Sequence, residues 1–168
     1  GIIFCMIDLS IEDSFLSHRE CDLLINYFEK HYSQNSHIHD DAHLIRLRDT
    51  PTSHRRKSRI RNKLINYVQK KIPSLEFNYD ELVKRECGVY REMHLDTSEN
   101  HSYQWGQVDW TCVCYLNDDF QGGETRIYDR LIKPERGRIV LFKSKSLLHG
   151  TNMATSNRYT YTAWWRET

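Results

Sequence analysis

His94-Leu-Asp96 sets an imidazole and a carboxylate two residues apart, and in an extended strand that spacing turns both side chains to one face. Two such donors can approach a single metal ion. The pattern alone is weak, because His39-Asp40-Asp41 supplies a second copy. That copy lies in a polar stretch with no strand-like run to fix it, and reads as surface polarity. The first copy gains weight from His149, which follows a strand-like run from Arg138 to Ser144 and opens a turn through Gly150 into the last strand. Two histidines and one carboxylate form the facial set that leaves three octahedral positions of an iron ion open, whereas a structural zinc site closes its coordination. Nine residues later Arg158 begins a β-prone run whose alternation puts Arg158, Thr160, Thr162 and Trp164 on one face. A guanidinium among inward-looking neighbours is costly unless it meets an anion, and its planar fork suits a carboxylate.

These residues need elements to hold them. Ser17-His-Arg-Glu20 reads as a capping box, followed by Cys21, Leu24, Ile25, Phe28 and Tyr32 at helical spacing, which predicts a helix over roughly 17–32. Ile60, Leu64, Ile65, Val68 and Ile72 form a second stripe that Pro73 ends, with a basic outer face. Between them, residues 33–58 are polar and predict a long, mobile loop. After about Tyr79 the texture becomes short β-branched and aromatic runs separated by turn signals such as Asn117-Asp-Asp, Gln121-Gly-Gly and Thr155-Ser-Asn157. Helices first and many short strands afterwards suggest a helical layer on an antiparallel sandwich or barrel of jelly-roll type. Thr111, Val113 and Tyr115 alternate with Cys112 and Cys114, so the hydroxyl-bearing side chains share one face and the thiols the other.

Length and charge bound the rest. The 168 residues, 39% hydrophobic, fit one domain with a real core. The 24 basic and 23 acidic side chains nearly cancel, so no global field points to nucleic acid or an anionic membrane. No run approaches the roughly 18 apolar residues of a membrane span, and the apolar start at Ile2 to Ile7 lacks a basic flank and a cleavage site. A soluble, cytoplasmic protein is the expectation. Five scattered cysteines without a C-x-x-C pair indicate neither a disulfide framework nor a zinc knuckle. Arg55-Arg56-Lys57-Ser-Arg59-Ile-Arg61, the densest basic stretch, reads as a solvated loop and helix start.

Gly88-Val-Tyr-Arg-Glu-Met-His94-Leu-Asp96, Thr111 to Asp118, Gly122-Gly-Glu-Thr125, Pro134 to Gly137 leading into Leu141-Phe142, His149-Gly150 and Asn157-Arg158-Tyr159 through Trp164 resemble the ordered motif string of prolyl 4-hydroxylase-like 2-oxoglutarate/iron oxygenases. The resemblance spans about 85–165. It implies a mainly β, double-stranded β-helix (jelly-roll, cupin-like) fold supported by two amphipathic helices, as one domain over 1–168: helical support at about 15–75, jelly-roll core at about 79–166. It implies Fe(II) bound by His94, Asp96 and His149, with the 5-carboxylate of the co-substrate 2-oxoglutarate bound by Arg158 and helped by the Tyr115 hydroxyl. Thr111 and Trp164 line the same pocket on this reading. Dioxygen is the oxidant and ascorbate an expected stimulant. The reaction implied is hydroxylation of a C–H bond, of peptidyl proline first of all, with succinate and carbon dioxide as co-products.

Two features depart from the family's pattern. The basic group stands nine residues after the second histidine, with Tyr159 where many collagen-type relatives carry lysine, and Arg85 replaces a tyrosine often found three residues before the motif glycine. An extra arginine near the mouth favours an acidic peptide or a free carboxylate. Thr97 to Asp109, with Tyr103, Trp105 and Gln107, is long for a hairpin and reads as a flap over the primary substrate; Trp105 and Trp110 read equally well as a plug at the barrel end. The alternatives are a hydroxylase of another residue or of a free amino acid or small molecule and, in a different class, a non-catalytic cupin-like module holding a metal or anion. Arg158 with Tyr115 speaks against that last reading, since such a module needs no carboxylate clamp.

Overall fold

The structure is a computed structural model and describes residues 8–47, 55–96 and 106–168. Among the described residues two α-helices and eleven strands follow in the order β1 (Leu9–Glu12), α1 (His18–His31), β2 (His37–His39), β3 (Ala42–Arg46), α2 (Arg55–Lys71), β4 (Leu75–Arg85), β5 (Arg91–His94), β6 (Trp110–Tyr115), β7 (Thr125–Ile127), β8 (Arg130–Ile132), β9 (Ile139–Phe142), β10 (His149–Thr151) and β11 (Arg158–Glu167). A seven-stranded sheet runs β1-β9-β6-β11-β4-β3-β2, and a four-stranded sheet runs β5-β10-β7-β8. All the strand pairings are antiparallel. This is the helical layer on an antiparallel jelly roll that the order of elements predicts, and the double-stranded β-helix that the resemblance implies.

Alternation divides the large sheet into two working faces. Trp110, Cys112 and Cys114 of β6, Ile139 and Leu141 of β9, and Tyr161, Ala163 and Trp165 of β11 join Leu24 and Phe28 of α1 and Leu64 and Val68 of α2 in one buried cluster. Each leucine, isoleucine, valine or phenylalanine among them contributes about 1.5–3 kcal/mol when fully buried, so this face anchors the sheet to the helices. The residues between them face the small sheet, where Tyr115, Val140 and Phe142 pack with Ile127 and Ile132. One face thus makes the core, and the other is left to line a cleft.

The capping box is present: Glu20 N donates to Ser17 Oγ at 3.1 Å, and Ser17 N donates to Glu20 Oε1 at 2.9 Å. Lys63 of α2 also reaches Glu20 Oε1, at 2.9 Å, joining the two helices. The described cysteines, Cys21, Cys87, Cys112 and Cys114, are free thiols.

Two expectations are corrected. Residues 33–58 are not a plain loop, because β2 and β3 form a hairpin in register His39 to Ala42 and extend the large sheet through β4. Its two turn residues, Asp40 and Asp41, take φ of 49° and 62°, a backbone that Asp tolerates better than most side chains and that tight hairpins require. Residues 48–54 lie outside the described residues. The basic stretch is not simply solvated either. Lys57 is buried at 4% exposure, with its ammonium over the Tyr27 ring and 3.5 Å from the Leu47 carbonyl. Arg61 grips Asp80 bidentately at 2.9 and 2.7 Å, and the Tyr161 hydroxyl donates to the same carboxylate at 2.6 Å. Aliphatic stems and remote partners take these charges inward, which composition cannot show.

Candidate metal centre

His94 closes β5 and His149 opens β10, and the two are direct cross-strand partners, so residues far apart in the chain meet by register. Gly150 makes the approach possible. A Cβ there would stand 2.6 Å from the Arg91 carbonyl oxygen and 3.1 Å from the Glu92 carbonyl carbon, so β10 can lie against β5 only without a side chain at that point. Asp96 follows β5 by two residues, and its amide donates to the Ser144 carbonyl at 3.0 Å. The Thr111 hydroxyl of β6 donates to Asp96 Oδ2 at 2.7 Å and lies 2.7 Å from Ser144 Oγ. One carboxylate oxygen is therefore spoken for, and the other, Oδ1, faces His149 Nε2 at 3.1 Å and His94 Nε2 at 3.3 Å.

The imidazoles are held from behind. His94 Nδ1 is 2.8 Å from the Glu92 carbonyl oxygen and His149 Nδ1 is 2.8 Å from that of Leu147. A carbonyl only accepts, so each Nδ1 donates to it, which leaves each Nε2 as the ring nitrogen turned toward Asp96. Two imidazole nitrogens and a carboxylate oxygen, all within 4.8 Å of one another, form a donor set for a cation. His94, Asp96 and His149 are the candidate metal group among the described residues, and the oxygen and nitrogen donors suit iron. His39-Asp40-Asp41 forms no such group: Asp40 pairs with Arg91 at 2.6 Å, and His39 stands on the cleft wall.

The cleft that holds these donors also holds Arg158, Thr111, Val113, Thr160, Thr162 and Trp164, so strand alternation placed them correctly. Arg158 is buried at 3% exposure. Its Nε donates to the Gly123 carbonyl at 2.8 Å and an Nη to Thr125 Oγ1 at 3.2 Å, while its carbon lies 5.4 Å from the centre of the Tyr115 ring. Burial opposes the charge and pushes this arginine below its usual pKa, against the pull of Tyr115 and Glu124. The fork retains further N–H donors for an anion. Gly123, with φ of +70°, would drive a Cβ to within 3.2 Å of Arg158 Cδ, and glycine there lets the chain turn its carbonyl onto the guanidinium.

Tyr115 is fully buried and hydrogen-bonds Thr125 Oγ1 through its hydroxyl, while Thr125 itself lines the cleft. Thr125 thus adds a second hydroxyl beside the guanidinium, next to that of Tyr115, which interacts with Arg158 directly. Sequence reasoning quoted Gly122-Gly-Glu-Thr125 as a motif but gave Thr125 no role; a hydroxyl placed straight after a tight Gly-Gly turn was the available signal. Ser144 was likewise missed. Trp164 stacks on Tyr79 with ring centres 4.5 Å apart and forms one wall. Trp110 plugs nothing in the cleft: it is buried in the helix-side core, with its indole donating to Glu167 at 2.6 Å. Tyr103 and Trp105 lie outside the described residues, and Gln107 is exposed.

The family profile described as the 2OG-Fe(II) oxygenase superfamily matches residues 79–166. The chain belongs to that superfamily. It is an oxidoreductase of the 2-oxoglutarate- and iron-dependent dioxygenase class, with a His-Asp-His group of the kind such an enzyme needs. No curated protein sequence matches it. Solved structures share the oxygenase fold across nearly the whole chain. A viral collagen prolyl hydroxylase from Paramecium Bursaria Chlorella virus-1, solved with 2-oxoglutarate, has a TM-score of 0.75 at 22% identity, covering 96% of this chain and 97% of its own. A Pseudomonas putida prolyl-4-hydroxylase has a TM-score of 0.78 at 18% identity, covering 96% and 93%. A Trichoplax adhaerens prolyl hydroxylase, in complex with a hypoxia inducible factor peptide fragment, has a TM-score of 0.77 at 14% identity, covering 95% and 84%. No helix among the oxygenase's described residues is long and apolar enough to cross a membrane.

Proposed function

We propose that this oxygenase holds Fe(II) through His94, Asp96 and His149, anchors the far carboxylate of 2-oxoglutarate on Arg158, and hydroxylates a prolyl C–H bond in a peptide. The observation that carries the reading is one cleft lined both by a three-donor group and by a buried guanidinium. That combination suits a co-substrate that must touch a metal and a cation at once. The prolyl assignment draws on the neighbours, which are prolyl hydroxylases by name, one of them solved with a peptide.

Iron, when bound, couples oxidative decarboxylation of 2-oxoglutarate to C–H hydroxylation, so that one oxygen atom of O2 enters succinate and the other the product, with carbon dioxide released. The chain's own residues position and exclude. Thr111 fixes the rotation of Asp96 through Oδ2, which leaves Oδ1 to face the two imidazoles. The carbonyls of Glu92 and Leu147 fix both ring orientations, and such outer contacts are worth about 10- to 100-fold in metal affinity. Arg158, braced by Gly123 and Thr125, fixes the co-substrate's other end by a charge-assisted fork, and holding both ends removes the positional freedom that costs rate. Phe142 packs edge-on against His149 at 4.8 Å between ring centres and helps keep water from the donors. On this reading the Tyr115 and Thr125 hydroxyls both stand beside Arg158, and Trp164 and Val113 give the carbon chain its apolar walls.

The test is incubation of the purified oxygenase with Fe(II), 2-oxoglutarate, ascorbate and a library of proline-containing peptides, followed by mass spectrometry. A +16 Da product that appears with stoichiometric succinate and disappears in His149→Ala supports the reading. Succinate formation coupled to a product on another residue type would keep the reaction and remove the prolyl assignment.

A further inference from the structure

Arg85 ends β4 directly across from Arg158 of β11, so both guanidinium-bearing side chains leave the sheet on the same face, and both line the cleft. Like charges in directly opposite cross-strand positions are destabilising unless something compensates. Arg158 is braced by the Gly123 carbonyl, Thr125 and the Tyr115 ring. Among the described residues Arg85 has no such brace, and its Nε–H is buried without a hydrogen-bond partner. Burial, then the neighbouring charges of Arg158 and Arg91, push its pKa below the arginine range, against the weaker pull of Asp40 and Glu81. A buried N–H of this kind is a donor waiting for an acceptor.

The charges nearby do not supply one. Arg91 is taken up by Asp40 at 2.6 Å and Glu81 by Arg46 at 3.7 Å, so those two pairs cancel. The proposed occupants balance as well: iron(II) with Asp96 leaves one positive charge, Arg158 adds one, and 2-oxoglutarate brings two negative charges. Arg85 remains as one unmatched cation on the wall, beside the apolar Leu44 and Val83.

We infer that Arg85 is a substrate-binding residue that recognises a carboxylate on the primary substrate, so that this oxygenase selects a carboxylate-bearing molecule, the prolyl ring reaching the metal while its own or an adjacent carboxylate meets Arg85. The planar fork favours this partner over a single-point acceptor. The inference rests on the assignment of iron and 2-oxoglutarate to the cleft proposed above.

The experiment follows the arginine Nε–H signals by NMR in isotope-labelled oxygenase loaded with zinc in place of iron, the Arg85 and Arg158 signals being assigned from Arg85→Lys and Arg158→Lys. Addition of 2-oxoglutarate should move the Arg158 signal and leave that of Arg85 nearly still. N-acetyl-L-proline should then shift the Arg85 signal to saturation at least about tenfold more tightly than N-acetyl-L-prolinamide, which lacks only the charge, since one charge-assisted contact separates them. If 2-oxoglutarate alone moves Arg85 and the acid adds nothing, Arg85 is a second clamp on the co-substrate and the inference is wrong. It is equally wrong if the acid and the amide act alike or neither moves the signal. An Arg158 signal unmoved by 2-oxoglutarate would instead sink the co-substrate assignment, and the comparison of acid with amide at Arg85 still reads by itself.

Discussion

Replacing Arg158 by Gln removes the buried cation while keeping a hydrogen-bonding side chain of related length. The side chain is 3% exposed, donates at 2.8 Å to Gly123 and at 3.2 Å to Thr125, and packs over Tyr115, so its charge is desolvated before any ligand arrives. Truncating one partner of a buried, hydrogen-bonded charge pair costs about 2–5 kcal/mol. At 1.4 kcal/mol per decade, that is about 30- to 4000-fold in the dissociation constant of 2-oxoglutarate. Arg158→Lys keeps the charge but loses the fork and the two bracing contacts, and should fall between the variant and the wild type. Isothermal titration of the anaerobic iron-loaded protein measures this directly, with a thermal melt to show that each variant is folded. A folded Arg158→Gln that binds 2-oxoglutarate within threefold of wild type would refute the assignment of the clamp.

Other outcomes follow from the same geometry. Gly150→Ala should lower stability by roughly 1–3 kcal/mol and weaken iron binding with it, because the new methyl meets the Arg91 carbonyl at 2.6 Å and pushes the strand of His149 off β5; thermal melting with and without metal reads both. Thr111→Val should leave the fold intact but release Asp96 Oδ2, weakening iron about 10- to 100-fold in a competition with a chelator. Asp80→Ala strands Arg61 and Tyr161 and should cost about 3–5 kcal/mol in urea unfolding, far from the cleft. The Trp110 indole, against the cost of burial, and the nearby lysines hold Glu167 below the usual carboxylate range. Its folded value is depressed, so its stabilising contribution is complete above the ordinary Glu value of about 4.3 and is lost as pH falls through the lower folded value. Glu167→Gln should flatten that acid limb of the melting-temperature profile.

The residues that sequence alone located share a simple origin. Thr111, Val113, Thr160, Thr162 and Trp164 sit on cleft-facing strand positions that alternation identifies without knowing which strands pair. His94 and His149 needed more, since only the motif order tied them together; the structure supplies the reason in the β5–β10 register. Thr125 escaped because its role arises between two sheets, where it meets a tyrosine and an arginine from other strands. The β2–β3 hairpin escaped because its polar residues hide a short alternation, Ala42, Leu44 and Ile45 being buried while His43 and Arg46 are not. Lys57 and Arg61 were misread because burial of a charge depends on partners such as Leu47 and Asp80 that spacing cannot name. Arg85 was visible only as a departure from a pattern, and its cross-strand position opposite Arg158 is what gives it meaning.

The most direct test of the account is anaerobic titration of the purified protein with Fe(II) in the presence of 2-oxoglutarate, followed by visible absorption. Iron held by His94, Asp96 and His149 should give the weak metal-to-ligand charge-transfer band of a chelated 2-oxoglutarate, saturating at one iron per chain and absent in a folded His149→Ala. A well-folded wild type that shows no band, or a His149→Ala that keeps it, would contradict the three-residue iron site.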